Sequence, residues 1–345
     1  MTLRKLLTIG LASASLFGGC HPKDKDDYSN PGTQVSAEYY RNAVPRGETV
    51  MVRVPGANSG QGLTVETHTQ ALTMGQGQTA DLYKLTRLAS GIFNGGALLV
   101  LGLVKTVVSF PPTTLGPNMA VWGPWTDALS PITWKVTVTR KSDHLYTYTF
   151  EGRDKLAPNA PFITVLSGDH TPALDPAGRP IEGFGSGSFT LDNNARNMLP
   201  MPEKDVGQAH YTYERSTPAA MVIIDAQFIQ VKDDEHPGQL VDLGYRYRAT
   251  PGNGGTMEFL HSAPAAMMKA GATWRIKSRW LETGAGRSDV VGEGGDLPAG
   301  LKVNVSECWD VSFASRYQIV PWDPASTWGN EATDCVFTSA EYSTL

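Results

Sequence analysis

The sequence predicts a mainly β protein, either a single antiparallel meander sheet or a barrel-like β domain, with one long apolar helix packed on or inside it. Three observations support this fold class. Apolar and polar residues alternate with a period of two between Trp134 and Phe313. Clusters of Gly, Pro, Asn and Asp separate most of these alternating segments and are typical of turns. The only clear helical spacing lies before them, near residues 81–108.

The alternation is clearest in residues 134–138 and 146–150, which flank the polar turn at 141–143. This pattern predicts a hairpin of two half-buried strands. It recurs at 162–166, 186–191, 210–214, 221–231, 240–248, 256–260, 274–281 and 301–313. About ten short strands in chain order favour a long curled sheet or a barrel.

The helical segment carries Leu82, Leu85 and Leu88 at helical spacing. Between Arg87 and Lys105 there are 17 uncharged residues, which is near the lower limit for a membrane span. Four glycines interrupt this stretch. We expect a core helix against the sheet, and contact with membrane lipid or a membrane span are the alternatives.

The first residues have the order of an export signal. Arg4 and Lys5 precede the apolar stretch 6–17, and small residues then lead to Cys20. The run Leu16-Phe17-Gly18-Gly19-Cys20 resembles the lipobox of bacterial lipoproteins. The resemblance implies that residues 1–19 are removed and that Cys20 is acylated. An ordinary signal peptide with an incidental cysteine is the alternative.

The residues after Cys20 predict a flexible, lipidated tether over 20–44, followed by the β domain at 45–345. They contain a charge run at 23–27 and few apolar groups. Two or more acyl chains on Cys20 would hold the protein stably at a membrane. Because His21 replaces the Asp that commonly retains lipoproteins at the inner membrane, we expect an outer-membrane anchor facing either side.

Composition excludes several classes of function. The chain has 29 Lys and Arg against 34 Asp and Glu, so it lacks the basic surface that nucleic-acid binding requires. Its seven histidines form no HExxH motif, and we expect no metal or cofactor. Ser186 and Ser188 lie in a glycine-rich segment without a G-x-S-x-G motif, so no catalytic residue is identified.

Two cysteines remain after Cys20. Cys308 and Cys335 would meet an oxidising compartment in an exported chain, so we predict a disulfide between them. A catalytic or metal-binding pair is the alternative, although no CxxC spacing supports it.

Two sets of residues are candidates for ligand contact. Alternate positions of two predicted strands carry cations that suit an anionic headgroup: Arg246, Arg248, Arg275, Lys277 and Arg279. The apolar positions carry aromatic residues that either line a cavity or pack as ordinary core: Tyr146, Tyr148, Tyr245, Tyr247, Trp274 and Trp280.

The segments 150–153, 188–192, 283–289 and 306–310 together look like a set of uncharacterised Gram-negative envelope lipoproteins. This resemblance covers roughly the last two-thirds of the chain and implies no functional residues. A curved antiparallel sheet enclosing an apolar helix is also similar to periplasmic lipoprotein carriers of the LolA/LolB type, which hold acyl chains. That similarity concerns architecture alone.

These features predict a lipid-anchored outer-membrane envelope protein that binds an amphipathic or lipid-like ligand without catalysis. Its partners would be the membrane, through the acyl anchor, and a lipid or an envelope protein. A structural or assembly component of an envelope complex is the alternative, and a hydrolase is less favoured.

Overall fold

The computed structural model describes residues 37–42, 44–56, 75–202, 205–232, 238–262, 272–295 and 297–345. The predicted signal peptide and Cys20 lie outside these ranges. Residues 37–41 belong to the predicted tether but form a short helix whose Tyr40 side chain is buried and donates a hydrogen bond to the Gly116 carbonyl at 2.9 Å. The folded part of the chain therefore includes residues that precede the expected start at 45.

The described residues form a mainly β protein. One sheet of fourteen antiparallel strands follows chain order, so every strand pairs with its sequence neighbours. The strands are β1 Thr114–Gly116, β2 Met119–Thr126, β3 Ile132–Arg140, β4 Tyr146–Asp154, β5 Ile163–Leu174, β6 Pro180–Asp192, β7 Gln208–Arg215, β8 Val222–Lys232, β9 Leu240–Thr250, β10 Gly254–Ser262, β11 Ala272–Trp280, β12 Gly286–Gly294, β13 Lys302–Trp309 and β14 Ser315–Ile319. The helices are α1 Ala37–Arg41, α2 Asp81–Val108, α3 Asn193–Arg196 and α4 Glu331–Asp334.

The predicted antiparallel meander is confirmed, and the sheet is open. Among the described strands, β1 pairs only with β2, and β14 pairs with β13 and with no other strand. The sequence pattern missed β1, β2, β12 and β14. None of the helices in the described part of the chain has the length and apolar character needed to cross a membrane.

Helix α2 connects distant strands through the inner face of the sheet. The Leu82 N–H at its start donates to Glu307 on β13 at 2.7 Å. Phe93 in its middle contacts the rings of Tyr211 on β7 and Tyr245 on β9, at 5.3 and 5.9 Å between centroids. Just after its end, the Phe110 carbonyl accepts a hydrogen bond from the Trp122 indole on β2 at 2.8 Å. Helix α2 and the residues that follow it therefore contact strands β2, β7, β9 and β13.

Large aromatic rings on the inner face lie over glycines of neighbouring strands. A Cβ at Gly292 on β12 would lie 2.5 Å from the ring of Trp274, and a Cβ at Gly168 on β5 would lie 2.5 Å from the Tyr148 ring. These separations are far below van der Waals contact, so only glycine leaves room for the rings. The arrangement allows large aromatic residues to fill the core on this face of the sheet.

The predicted disulfide is confirmed. Cys308 on β13 is bonded to Cys335, which directly follows α4, and their Cα atoms are 5.4 Å apart. Both cysteines are buried. The bond fixes the start of the last ten residues, 336–345, beside the sheet.

Candidate functional site: a charged sheet face covered by the last ten residues

The five cations selected from the sequence lie on one face of the sheet. Strands β9 and β11 flank β10, where Glu258 is the register partner of both Arg246 on β9 and Lys277 on β11. Because side chains alternate along a strand, the cations of both strands project to the outer face, away from α2. Topology therefore brings together residues that are up to 33 positions apart in the sequence, from Arg246 to Arg279.

Each of these cations has an acidic partner. Arg248 pairs with Asp225 at 2.7 Å, and Lys277 pairs with Glu341 at 2.8 Å. The other ion pairs are Arg246 with Asp225 at 3.4 Å and with Glu258 at 3.5 Å, Arg275 with Glu293, and Arg279 with Glu341 at 2.6 Å and with Asp289 at 3.2 Å. The surface is therefore a grid of both charges rather than a purely cationic patch.

Residues 336–345, here called the tail, lie on this grid. Arginine side chains donate hydrogen bonds to three main-chain oxygens of the tail. The pairs are Arg287 with Phe337 at 2.9 Å, Arg279 with Ser339 at 2.6 Å, and Arg275 with Leu345 at 2.8 Å. We call the outer surface of β9–β12 formed by Arg246, Glu258, Arg275, Lys277, Arg279, Arg287 and Asp289 the tail-binding face.

The acidic residues of the tail-binding face accept hydrogen bonds from N–H groups of the tail. The Glu341 N–H donates to the Asp289 carboxylate at 3.0 Å, and the Thr344 N–H donates to Glu258 at 2.9 Å. Cations and carboxylates thus bind both main-chain oxygens and N–H groups of one segment. Such contacts recognise the peptide backbone, which every sequence shares.

The centre of this face is a buried ion pair. Arg287 is 1% exposed and Asp289 is 0% exposed, and Arg287 Nε donates to Asp289 at 2.7 Å. Asp289 also accepts from the Ser306 hydroxyl at 2.7 Å. Burial lowers the pKa of Arg287, but the hydrogen bonds and negative charges of Asp289 and Glu331 together outweigh burial, so the pKa is raised and the guanidinium stays charged. Sequence alternation did not select either residue.

One tail side chain binds this face through its charge. Glu341 forms ion pairs with Lys277 and Arg279, and the hydrogen bond from Lys277 is the main reason that the pKa of Glu341 is lowered. The side chains of Thr338, Ser339 and Ala340 are exposed. The tail-binding face therefore combines backbone recognition with one position that favours a carboxylate.

The six candidate aromatic residues lie in the core, on the opposite face from the cations. Tyr146, Tyr148, Tyr245, Tyr247, Trp274 and Trp280 are all at most 5% exposed. Tyr146 contacts Tyr40 with ring centroids 6.4 Å apart, and Tyr247 stacks on Trp280 at 6.3 Å. The sheet thus separates the aromatic set from the cationic set.

Glu307 belongs to a second polar cluster, on the inner face. Its side chain accepts the Leu82 N–H, and burial raises its pKa to about 7. Thr86, Ser278 and Ser288 form a chain of hydroxyl contacts of 2.6 Å each. These three residues are fully buried, so they join α2 to the sheet and are not accessible to a substrate.

Another buried group is His170, whose Nδ1 lies 2.8 Å from the Tyr213 hydroxyl. Burial lowers the pKa of His170 to about 4, which keeps the imidazole neutral at pH 7. Within the ranges that the structure describes, no group of three or more His, Cys, Asp or Glu side chains is arranged to hold a metal ion.

No protein-family model, no curated protein and no solved structure matches this chain.

Proposed function

We propose that this protein is a lipid-anchored component of the bacterial outer membrane that binds an extended, acidic peptide segment of an envelope partner, without catalysis, on the tail-binding face. The observation that carries the proposal is that charged side chains of this face bind both carbonyl and N–H groups of the tail main chain. The tail is the intramolecular occupant of a site whose chemistry suits any peptide with a carboxylate at the Glu341 position.

The sheet separates the candidate aromatic residues from the candidate cations, and this separation supports a peptide ligand rather than an acyl chain. The aromatic residues that could surround an acyl chain are buried on the inner face, and the cations that could bind a headgroup lie on the outer face. In this proposal the inner face and the apolar helix α2 form the structural core. The outer face is then the binding surface.

A partner must compete with the tail for this surface. The disulfide fixes Cys335, immediately before the first residue of the tail, so the tail binds intramolecularly at an effective concentration in the ~mM range. A partner segment displaces the tail when it binds more tightly than the tail or when a second contact holds the partner nearby. This competition would limit binding to cognate partners.

Two features support the location. The first is the lipobox-like run ending at Cys20, and the second is the disulfide between Cys308 and Cys335, a bond that persists in oxidising compartments. Cys20→Ser should abolish acyl labelling and release the protein from the membrane fraction. Labelling with a palmitate analogue in cells tests this, and labelling that survives the substitution refutes the anchor.

Peptide binding can be tested on the folded full chain. A protease site inserted between Cys335 and Val336 allows the tail to be cut after folding and exchanged for a fluorescent synthetic peptide of the same sequence. We expect saturable binding by fluorescence anisotropy. A peptide with Glu341→Lys should bind at least about tenfold more weakly, because it places a cation beside Lys277 and Arg279.

Thr338→Lys in the same peptide is the matched control, since Thr338 is exposed. This control should bind like the unmodified peptide. Absence of saturable binding, or equal weakening by the two lysine substitutions, would refute recognition of an acidic peptide on this face.

A further inference from the structure

The most exposed apolar side chains of the described chain share one end of the sheet. Among the described residues, the four large apolar side chains with the highest exposure are Leu129 at 91%, Leu156 at 88%, Met198 at 73% and Met201 at 70%. They lie in the loops that follow β2, β4 and β6. Because successive strands of an antiparallel meander run in opposite directions, these three loops all lie at the same end. We call these four residues the apolar loop tips.

The three loops are neighbours in space. Adjacent strands lie ~4.8 Å apart, so loops that are two strands apart are close together. The Lys155 N–H donates to the Pro131 carbonyl at 2.8 Å, which joins the first loop to the second. The third loop begins with α3, which packs against β5, and the side chain of its Leu199 lies over Gly152 on β4. The apolar loop tips therefore form one group, unlike the single exposed apolar residues that are common on protein surfaces.

The first two loops contain the same turn, which presents a leucine. The carboxylate of Asp127 accepts the Leu129 N–H at 3.2 Å, and the carboxylate of Asp154 accepts the Leu156 N–H at 2.8 Å. In each turn the Asp carbonyl also accepts the N–H of the residue three positions later, at 3.1 Å. The main-chain N–H of each leucine is therefore satisfied within its own turn. This lowers the cost of moving the turn from water to a less polar environment.

The third loop holds Met201 in a conformation that few side chains adopt. Its φ is 57°, in the left-handed region that is disfavoured for residues other than glycine. Backbone strain of this kind persists where the surrounding structure maintains it, often at functional positions. Here it accompanies a large apolar side chain that lies in water, beside three others that do the same.

The composition of this end suits lipid better than a protein surface. Protein interfaces depend on anchors such as Trp, Tyr and Arg that fill well-packed pockets. The apolar loop tips are instead Leu and Met side chains on separate turns, and fluid acyl chains can surround each of them. Lys155 is exposed beside Leu156, and its ammonium lies 3.4 Å from the Ala128 carbonyl of the neighbouring turn. A lysine in this position can reach lipid phosphates while its methylene groups lie among apolar groups.

The acyl anchor of the proposed function brings a bilayer within reach of this end. Tyr40 on α1 binds the carbonyl of Gly116, next to the turn between β1 and β2, so α1 lies at the opposite end of the sheet. Ala37, the first residue of α1, follows Cys20 by 17 positions, a length of chain that spans at most about 60 Å. A nine-residue strand such as β4 is about 30 Å long. Cys20 and the apolar loop tips can therefore contact the same bilayer.

We propose that the apolar loop tips insert into a phospholipid bilayer, at the boundary between headgroups and acyl chains. The end of the sheet that carries them then faces the membrane. The tail-binding face, which lies along the side of the sheet, stays accessible to a partner. This membrane contact is a second one, separate from the acyl anchor, and it does not depend on peptide binding.

Insertion can be measured residue by residue on the full chain. Cys20→Ser removes the cysteine of the anchor, and the other two cysteines are bonded to each other, so one added cysteine can be labelled alone. Leu129→Cys and Leu156→Cys are each labelled with the fluorophore nitrobenzoxadiazole and mixed with vesicles of phosphatidylethanolamine and phosphatidylglycerol. We expect the emission of both labels to shift to shorter wavelength. Lipids that carry a spin label on the acyl chain should quench both.

Val311→Cys, labelled in the same way, is the matched control. Val311 is 62% exposed and lies in the turn after β13, at the other end of the sheet. Its label should neither shift nor be quenched. Absence of quenching at position 129, or equal quenching at positions 129 and 311, would overturn the proposal.

The contribution of the leucines can be measured by sedimentation of the same vesicles. Replacing Leu129 and Leu156 together with Ser should weaken vesicle binding at least about tenfold, because the burial of two leucine side chains is lost. Val311→Ser should bind like the parent protein. Both variants should unfold at the parent's urea concentration, since the changed residues are exposed.

Two results of this comparison would contradict insertion. One is equal vesicle binding by the double Ser variant and Val311→Ser. The other is a lower sedimentation coefficient of the double variant without vesicles, which would show that the apolar loop tips contact a second copy of this chain. Neither result bears on peptide exchange or on acyl labelling, because those experiments measure the tail-binding face and Cys20.

Discussion

Replacement of Glu307 by Gln should change how the stability of this protein depends on pH. Glu307 is 1% exposed and accepts the Leu82 N–H at the start of α2 at 2.7 Å. Burial raises its pKa to about 7, and the hydrogen bonds from Leu82 and Ser315 offset only part of that effect. The folded protein therefore binds a proton at pH values where an unfolded chain, with an ordinary pKa of 4.5, has released it.

The sign and size of the effect follow from this difference. Because the folded state binds more protons between pH 4.5 and about 7, the free energy of unfolding falls as the pH rises through that window. The difference between the two pKa values, at about 1.4 kcal/mol per unit, corresponds to a loss of about 3 kcal/mol. Gln has a similar shape, stays neutral and can still accept the Leu82 N–H. The stability of Glu307→Gln relative to wild type should therefore rise by about 3 kcal/mol between pH 4.5 and pH 8.

Urea unfolding of both proteins from pH 4.5 to 8.5, with the disulfide oxidised, measures this difference. The pKa of His170 is lowered to about 4, from an ordinary value of 6.5. This group therefore makes the free energy of unfolding fall as the pH decreases below 6.5, which is opposite in sign to the effect of Glu307. It is present in both proteins, so its contribution cancels. Glu341→Gln is the control, since the pKa of Glu341 is lowered and its effect should appear only below pH 4.5. A difference between Glu307→Gln and wild type that stays constant over the whole range would refute the reasoning.

Two further substitutions test the packing and the covalent link. Changing both Cys308 and Cys335 to Ser should lower the free energy of unfolding by about 3–4 kcal/mol, as expected for a bond that spans 27 residues. Two reactive thiols in the oxidised native protein would contradict the bond itself. Gly292→Ala should cost about 1–3 kcal/mol in urea unfolding, because its methyl group would lie 2.5 Å from the ring of Trp274. Gly102→Ala on α2, where no atom lies within 4 Å of the added group, should be neutral or stabilising, and an equal loss at both glycines would show that ring packing is not the cause.

The sequence alone was sufficient to predict the antiparallel meander. In residues 134–138 and 146–150 one face of each strand is buried against the core and the other is more exposed, which is the condition that produces a period of two. The disulfide was also predictable, because only two cysteines follow the lipobox-like run.

Strand β12 was missed for a definite physical reason. It is buried on both faces, by the core on one side and by contacts with the tail on the other. Arg287 and Asp289 occupy positions that an alternating pattern assigns to solvent, yet they are among the most buried side chains of the protein. Periodicity detects a contrast between core and water, and β12 has no such contrast.

The candidate site was also predictable from the sequence only in part. Alternation along β9 and β11 identified Arg246, Arg275 and Arg279 as residues of one face, because side-chain direction in a strand is a local property. That the tail covers this face was decided only by the tertiary structure. The tail has no periodic pattern, it begins 57 positions after Arg279, and most of its contacts with the sheet involve main-chain groups that are the same in every sequence.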